Sequence, residues 1–420
     1  MRLRRQAVLG RPEPEWFFSL RQRLATTPSL ILIGFSIFTL AVLQYYHRAN
    51  YRDPTSYFFD PSRAYQRIYS ATRIREAEAF IDAAPKVPGP TKPSQQTPVL
   101  CIGIATVARR DDQYVRTTVG SLLDGLSEEQ RHHIYVNLFI AHTEPSKHPI
   151  YEEKWVQTLP DNVLHYQHAN MSLIRTWEDG GWYRNKTIFD YTYLLKDCYD
   201  TGAQYIAMLE DDTLAVKGWY PRLLQALMDV EAAMQRRRGE KWIYLRLFYA
   251  EELFGWNSEE WATYLSCSFV TWIIVTSCLL GVRTRSRRLQ LLLSNASIAT
   301  ISCVCLPALI GLYFMGGRNS TSPFTPGIHE MNKFGCCSQG YVFPREIVPP
   351  FLEKTDLVTD WLVDMMVEDI ANDQGYVRWA TVPALLQHIG TTSSKGWGFD
   401  ETAKNLWNFG FELHDGLNTQ

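Results

Sequence analysis

The sequence predicts an α/β fold interrupted by a transmembrane helical hairpin and preceded by an N-terminal transmembrane anchor. Three observations predict it. Strand-like apolar runs alternate with helix-period segments between Val99 and Leu209. Residues 24–46 hold no charged side chain. Between Tyr264 and Phe314, two further uncharged stretches are separated by the basic run Arg283-Thr284-Arg285-Ser286-Arg287-Arg288. A hairpin returns the chain to the side it left, so the segments on either side of it can belong to one domain.

Composition excludes one broad class. With 20% charged residues and a net charge of -2 over 420 residues, no basic field exists to hold nucleic acid.

The N-terminal segment, 1–23, carries Arg2, Arg4, Arg5, Arg11, Arg21 and Arg23. Residues 24–46 follow as the first span; roughly 20 apolar residues cross the hydrocarbon, and Tyr45 and Tyr46 suit its interface. Gln44-Tyr45-Tyr46-His47 lacks the small residues of a cleavage site, so a retained anchor is expected. Basic flanks stay cytoplasmic. That rule places the N-terminus and the tip at 283–288 inside, with the main body and C-terminus in the secretory lumen.

Residues 47–98 read as a stem, with a polar helix over 62–84 bearing apolar teeth at Ile68, Ile74, Ala77 and Ile81. The proline cluster from Pro85 to Pro90 ends that helix. The α/β body then occupies 99–262 and 316–420, with the hairpin at 263–315. Val99–Val107, Ile134–Ile140 and Gln204–Leu209 are continuous apolar runs that suit strands buried on both faces. Helical periodicity through Val115, Val119, Leu122 and Leu123, and again over Thr187–Tyr199, separates them. This alternation argues for a largely parallel sheet. Pro307 is positioned to kink the third span.

Of eight cysteines, Cys267, Cys278, Cys303 and Cys305 fall in the spans. Cys101, Cys198, Cys336 and Cys337 fall in the lumenal body, where disulfides persist and three full pairings are open. Cys336-Cys337 has no second pair at zinc spacing, and a disulfide to Cys198 is favoured. Asn170, Asn185 and Asn319 begin glycosylation patterns.

The third apolar strand ends in Glu210-Asp211-Asp212. Ligands of open α/β sheets bind at the carboxyl ends of strands. A divalent cation is held there by one or two carboxylates plus substrate phosphate oxygens, and offsets diphosphate charge. A solvated turn is the plainer account of an isolated acidic triplet.

Its surroundings carry a resemblance. Gly103-Ile104-Ala105-Thr106-Val107-Ala108-Arg109-Arg110 leads into a helix with Ser121-Leu122-Leu123. Asn185-Lys186-Thr187-Ile188-Phe189-Asp190-Tyr191 precedes the acidic strand. Beyond the hairpin stand Phe334-Gly335-Cys336-Cys337-Ser338-Gln339-Gly340-Tyr341, Asp360-Trp361-Leu362-Val363-Asp364 and Leu386-Gln387-His388-Ile389-Gly390. In this order they resemble the Golgi GPI-glycan N-acetylgalactosaminyltransferase family, and more distantly the N-acetylglucosaminyltransferase IV family.

The resemblance implies a GT-A-type glycosyltransferase domain and a UDP-sugar donor, UDP-GalNAc. It further implies Mn²⁺ or Mg²⁺ as cofactor, an inverting transfer to a β linkage, and the glycan of a GPI-anchored protein as acceptor. It places Asp212 and His388 on the metal. Thr106, Arg109, Arg110, Lys186, Asp190, Glu210 and Asp211 would face the donor. Inversion needs a carboxylate to take the acceptor's proton. Asp364 and Asp360 are the candidates, on one helix face if helical, with Asp369 a third. A branching transferase acting on N-glycans and a non-catalytic membrane scaffold are the competing accounts.

Overall fold

The computed structural model describes residues 26–84, 97–110, 112–167, 170–333, 335–355, 362–391 and 406–414. They form two units: the chain up to Asp60 with Trp256–Ser322, and Pro61–Gly255 with the chain from Pro323 onward.

The first unit is built on three helices long and apolar enough to cross a membrane. They run over Thr27–Ala49, Trp261–Arg283 and Asn295–Met315. At 1.5 Å per residue the first two are ~35 Å long, enough for a hydrocarbon core of ~30 Å. Neither buries any residue within the protein, as expected of surfaces that face lipid.

The third helix begins later than its uncharged stretch suggested. Ser294 caps it by accepting from Ser297 N at 3.1 Å, and Arg287–Leu292 form a separate short helix. Ahead of Pro307, which brings no N–H to the ladder, Ile301–Cys305 widen into a π-helical turn. There Trp272 Nε1 donates to Ser302 O at 2.7 Å and Thr276 Oγ1 donates to Ser302 Oγ at 3.1 Å, polar bonds that tie the second and third spans.

In the second unit, side-chain alternation organises the core. Leu100, Ile102 and Ile104 of β1 (Leu100–Thr106) face one apolar cluster; Cys101 faces the other. Around β1 stand β2 (Ile134–Ile140), β3 (Asn162–Leu164) and β4 (Tyr205–Glu210), all mutually parallel. With β6 (Trp242–Arg246), β7 (Gly327–Glu330), β8 (Gly340–Pro344) and β9 (Val377–Val382) they complete an eight-stranded sheet in the order β3-β2-β1-β4-β8-β6-β9-β7. Strands β8 and β7 run antiparallel to their neighbours, so the sheet is mixed. Because β8 and β9, which follow the membrane segment, interleave with β4 and β6, which precede it, residues 256–322 are inserted within one sheet domain. A short antiparallel pair, β5 (Thr213–Ala215) and β10 (Leu386–His388), places His388 opposite Thr213.

Helix α1 (Tyr69–Ala83) belongs to this unit, although sequence reading put it in a stem. It crosses α2 (Val115–Leu123) so closely that a Cβ on Gly120 would lie 2.4 Å from Ala77 O. Ala77 and Ile81 are buried, whereas Ile68 is exposed. Arg73 is wholly buried, its guanidinium donating to Ala215 O at 3.1 Å and Ser121 O at 2.7 Å. On the other face, Gly103 lets α4 (Tyr183–Asp200), preceded by α3 (Met171–Gly180), pack onto β1: a Cβ there would meet Leu194 Cγ at 2.9 Å.

That approach brings one pair of cysteines together. Cys198 of α4 pairs with Cys101 of β1, Cα atoms 5.6 Å apart, and Cys336 pairs with its neighbour Cys337. The favoured link from Cys336-Cys337 to Cys198 is thereby corrected. Cys101 and Cys198 face each other across the strand–helix contact, a tertiary proximity that sequence spacing does not carry. Helices α5 (Trp219–Gln235), α6 (Val348–Thr355) and α7 (Val363–Gln374) complete the unit.

Candidate active site

The ends of β1 and β4 lie side by side, Ala105 in register with Glu210, and the chain turns immediately afterwards. Thr118 of α2 fixes that turn, its hydroxyl 2.8 Å from both Asp211 O and Thr213 O. The acidic triplet therefore projects where β1 and β4 open onto a cavity of about 510 Å³. Arg109, Asp190, Tyr191, Cys336, Ser338, Asp364, His388 and Gly390 also line it.

Asp212 is 6% exposed. Its Oδ2 lies 3.0 Å from Arg109 Nη2 and 3.4 Å from His388 Nε2, while Oδ1 is buried with no hydrogen-bond partner among the described residues. Arg109 Nη2 also pairs with Asp211 Oδ1, and Thr106 donates to Asp211 Oδ2 at 2.7 Å. Glu210 accepts from Ser338 Oγ at 2.5 Å.

The electrostatics follow from this crowding. Burial alone would raise the Asp212 pKa, but His388 and Arg109 hold it well below the usual carboxylate range. Burial, reinforced by Asp212, pushes Glu210 up to about 7. Burial raises Asp211 against the pull of Arg109. Burial opposes the His388 imidazolium, yet Asp212 more than offsets it and the pKa rises.

Glu210, Asp212 and His388 each offer one ligand atom, all within 4.8 Å of one another. Two carboxylates and an imidazole suit Mn²⁺, and the orphaned Oδ1 of Asp212 is the kind of buried acceptor a cation satisfies. Gly390 leaves the space for it, since a Cβ there would lie 2.3 Å from Asp212 Oδ2. The residues fit a divalent cation.

Across the cavity, Asp364 occupies the first turn of α7 and is half-buried. Its Oδ2 accepts from Cys337 N at 3.0 Å. Helix α7 begins at Val363, so Asp360 precedes it and lies outside the described residues. Asp369 is exposed and does not line the cavity.

Not all expected donor-facing residues come together. Arg110 is exposed and off the cavity. Lys186 is buried away from it, donating to Ala141 O at 2.6 Å, Tyr166 Oη at 2.8 Å and Asp190 Oδ2 at 2.7 Å. All three ammonium protons are thus used within the protein. Asp190 reaches the cavity wall; burial pushes its pKa up to about 6 despite Lys186, and Tyr166 donates to its other oxygen at 2.5 Å.

Thr106 is buried behind Asp211. Its hydroxyl hydrogen goes to Asp211, so His148 Nε2, 3.0 Å from Thr106 Oγ1, is the protonated nitrogen. His148 Nδ1 accepts from Ile150 N at 3.3 Å, and burial together with His142 brings the pKa down to about 4.

Sequence reasoning gave no role to Ser338, Tyr191, Gly390, Arg246 or Glu368. Tyr191 lines the cavity with its hydroxyl buried and without a partner among the described residues, kept neutral by burial. Fully buried Arg246 donates to Cys336 O and, at 3.1 Å, to Cys337 O; it pairs with Glu368 of α7 at 2.8 Å. A charged residue ending an apolar strand was the available signal for Arg246, and the i, i+4 spacing of Asp364 and Glu368 the signal for Glu368.

Compared with known proteins, the chain matches the sequence profile of the family described as GPI-N-acetylgalactosamine transferase PGAP4 over residues 100–387. The match covers more than half of the chain, from β1 into β10, on both sides of the membrane hairpin. No curated protein matches the chain.

Proposed function

The chain belongs to the GPI-N-acetylgalactosamine transferase family, and we propose that it moves N-acetylgalactosamine from UDP-GalNAc, with inversion to a β linkage, onto GPI glycans. Family membership makes it a membrane glycosyltransferase with a GPI glycan as acceptor. The donor, the linkage, a GT-A arrangement of the α/β unit and a Golgi location are parts of the proposal. One observation carries the site: Asp212, buried with an oxygen that has no partner among the described residues, sits at the carboxyl end of β4 beside Glu210 and His388.

Glu210, Asp212 and His388 would hold Mn²⁺ or Mg²⁺, which supplies positive charge to the diphosphate leaving group when bound. Arg109 supplies fixed positive charge beside the same acids, within the cavity. Guanidinium donors grip phosphate oxygens in a planar fork. Asp364 takes the proton of the acceptor hydroxyl as its oxygen forms the bond to the anomeric carbon. The bond from that carbon to the diphosphate breaks on the opposite face, which inverts the centre.

Three spans keep the enzyme in the bilayer that also holds the lipid of its acceptor. If a lipid-free glycan were glycosylated as well as the intact GPI-protein, that part of the account would be lost.

Mass spectrometry of GPI glycans from null cells tests the function. Re-expressed wild type should restore one N-acetylhexosamine, and Asp212→Ala, reaching the same compartment, should not. A preference for UDP-GlcNAc with N-glycan acceptors would overturn the proposal in favour of a branching transferase.

A further inference from the structure

We infer that the Cys336–Cys337 disulfide is a positioning device for transfer, locking the loop that connects the two sides of the cavity. The inference rests on the proposed roles of Glu210 and Asp364. Three hydrogen-bonded attachments converge on residues 336–338. The N–H of Cys337 donates to Asp364 Oδ2 at 3.0 Å, and the hydroxyl of Ser338 donates to Glu210 at 2.5 Å. From beneath, Arg246 donates to the carbonyls of Cys336 and Cys337. A loop of three residues thus touches the proposed base, one proposed cation ligand and a fully buried cation.

The backbone explains why a covalent link is wanted there. Cys337 is the one non-glycine residue at positive φ (+85°) among the described residues. A side chain in that region is disfavoured and persists only where its surroundings hold it. Joined to Cys336, Cys337 is held in the conformation that aims its N–H at Asp364. Freed from that bond, it can relax toward negative φ and turn the N–H away.

The other end of the coupling is rigid. Asp364 and Glu368 are four residues apart on α7, and Glu368 is fastened to Arg246 at 2.8 Å and to Arg378 at 2.6 Å. Gly335 permits this, since a Cβ there would lie 2.5 Å from Arg246 Nη2. With the helix and the guanidinium held by these bonds, a change of shape in the disulfide-bonded pair would fall on the contacts to Asp364 and Glu210. It is also reachable: Cys336 is exposed and lines the cavity, whereas Cys101 and Cys198 are fully buried. A dithiol reductant would open it by supplying two electrons and two protons, yielding two thiols and its own cyclic disulfide.

The test uses full-length protein in detergent, with UDP-GalNAc, Mn²⁺ and a GPI-protein acceptor. In Cys336→Ala/Cys337→Ala, kcat should fall about tenfold or more while KM for the donor changes less than about threefold, because misplacement of reacting groups acts on the chemical step. Half-saturating Mn²⁺ should rise, reporting the Ser338–Glu210 link. Mild dithiothreitol should lower wild-type kcat to the same extent, reversibly on reoxidation, and leave the double variant unchanged.

Wild-type kcat in the double variant overturns the inference, as does equal inhibition of both proteins by the reductant. Should the variant not fold, the wild type decides alone: two thiols gained by intact mass with kcat unchanged overturns it. Absence of transfer by oxidised wild type would instead remove the function on which the inference rests.

Discussion

Two clusters of buried charge stand beside the same cavity, and they are finished differently. In Lys186–Asp190–Tyr166 every ammonium proton has an acceptor, and both carboxylate oxygens have donors. In Glu210–Asp212–His388, Arg109 and His388 share one oxygen of Asp212, and the other has no partner among the described residues. A closed network rigidifies a fold and leaves no valence for a ligand. An open one keeps a desolvated acceptor available to a ligand. The difference separates a structural brace from a proposed binding site, although Asp190 and Asp212 are equally buried.

The comparison breaks most directly at Lys186. Lys186→Met leaves Asp190 buried without its cation, which should cost about 3 kcal/mol or more in stability. Thermal unfolding would register it, while the kcat of the folded fraction stays near wild type. Normal stability with lost turnover would reverse the assignment and make Lys186 a substrate contact.

Asp212→Asn makes the opposite test. Transfer should fall about 10²–10³-fold, the usual cost of removing one preorganised electrostatic partner, with the melting temperature changed by only a few degrees. Collapse of the fold would mean that this cluster, too, is a brace.

Gly390→Ala sharpens the distinction within the open cluster. The added methyl would crowd Asp212 Oδ2, so the affinity for Mn²⁺ should drop about tenfold, or ~1.4 kcal/mol. Unchanged affinity would place any cation elsewhere.

The last test concerns the support behind Asp211. Folding depresses the His148 pKa to about 4, from an ordinary value near 6.5. Its contribution to stability is therefore complete above pH 6.5 and is lost as pH falls through 4. A proton added at Nδ1 would confront Ile150 N–H, with His142 and Arg109 adding repulsion. His148→Gln should flatten the acid side of the stability profile, by no more than about 1.4 kcal/mol per pH unit. An unaltered profile would show that His148 is not the titrating group.

Much of this architecture was legible in the chain. Strands β1, β2 and β4 announce themselves because central parallel strands are apolar on both faces, and the three spans because uncharged stretches of that length are rare in soluble domains. Asp212 and His388 were legible as a pair only through resemblance; what joins them is the β5–β10 ladder, which sets Thr213 opposite His388 across a long stretch of chain. Other features were hidden. Arg73 reads as a surface charge on a polar helix, yet it is wholly buried and ties α1 to the sheet domain. Lys186 carries the same charge as a phosphate-binding lysine; only its three acceptors disclose that it is spent. The partner of Cys198 depended on how closely α4 approaches β1 at Gly103, a packing distance that no spacing rule contains.

The central claim is that the open cluster holds a cation used in transfer to GPI glycans. Its most direct test is transfer from UDP-GalNAc to a GPI-protein by purified full-length enzyme, stripped of metal and then titrated with Mn²⁺. Activity should vanish on stripping, return with Mn²⁺ in the wild type and remain absent in Asp212→Asn. Full activity in the stripped wild type, or restored activity in Asp212→Asn, would contradict the account.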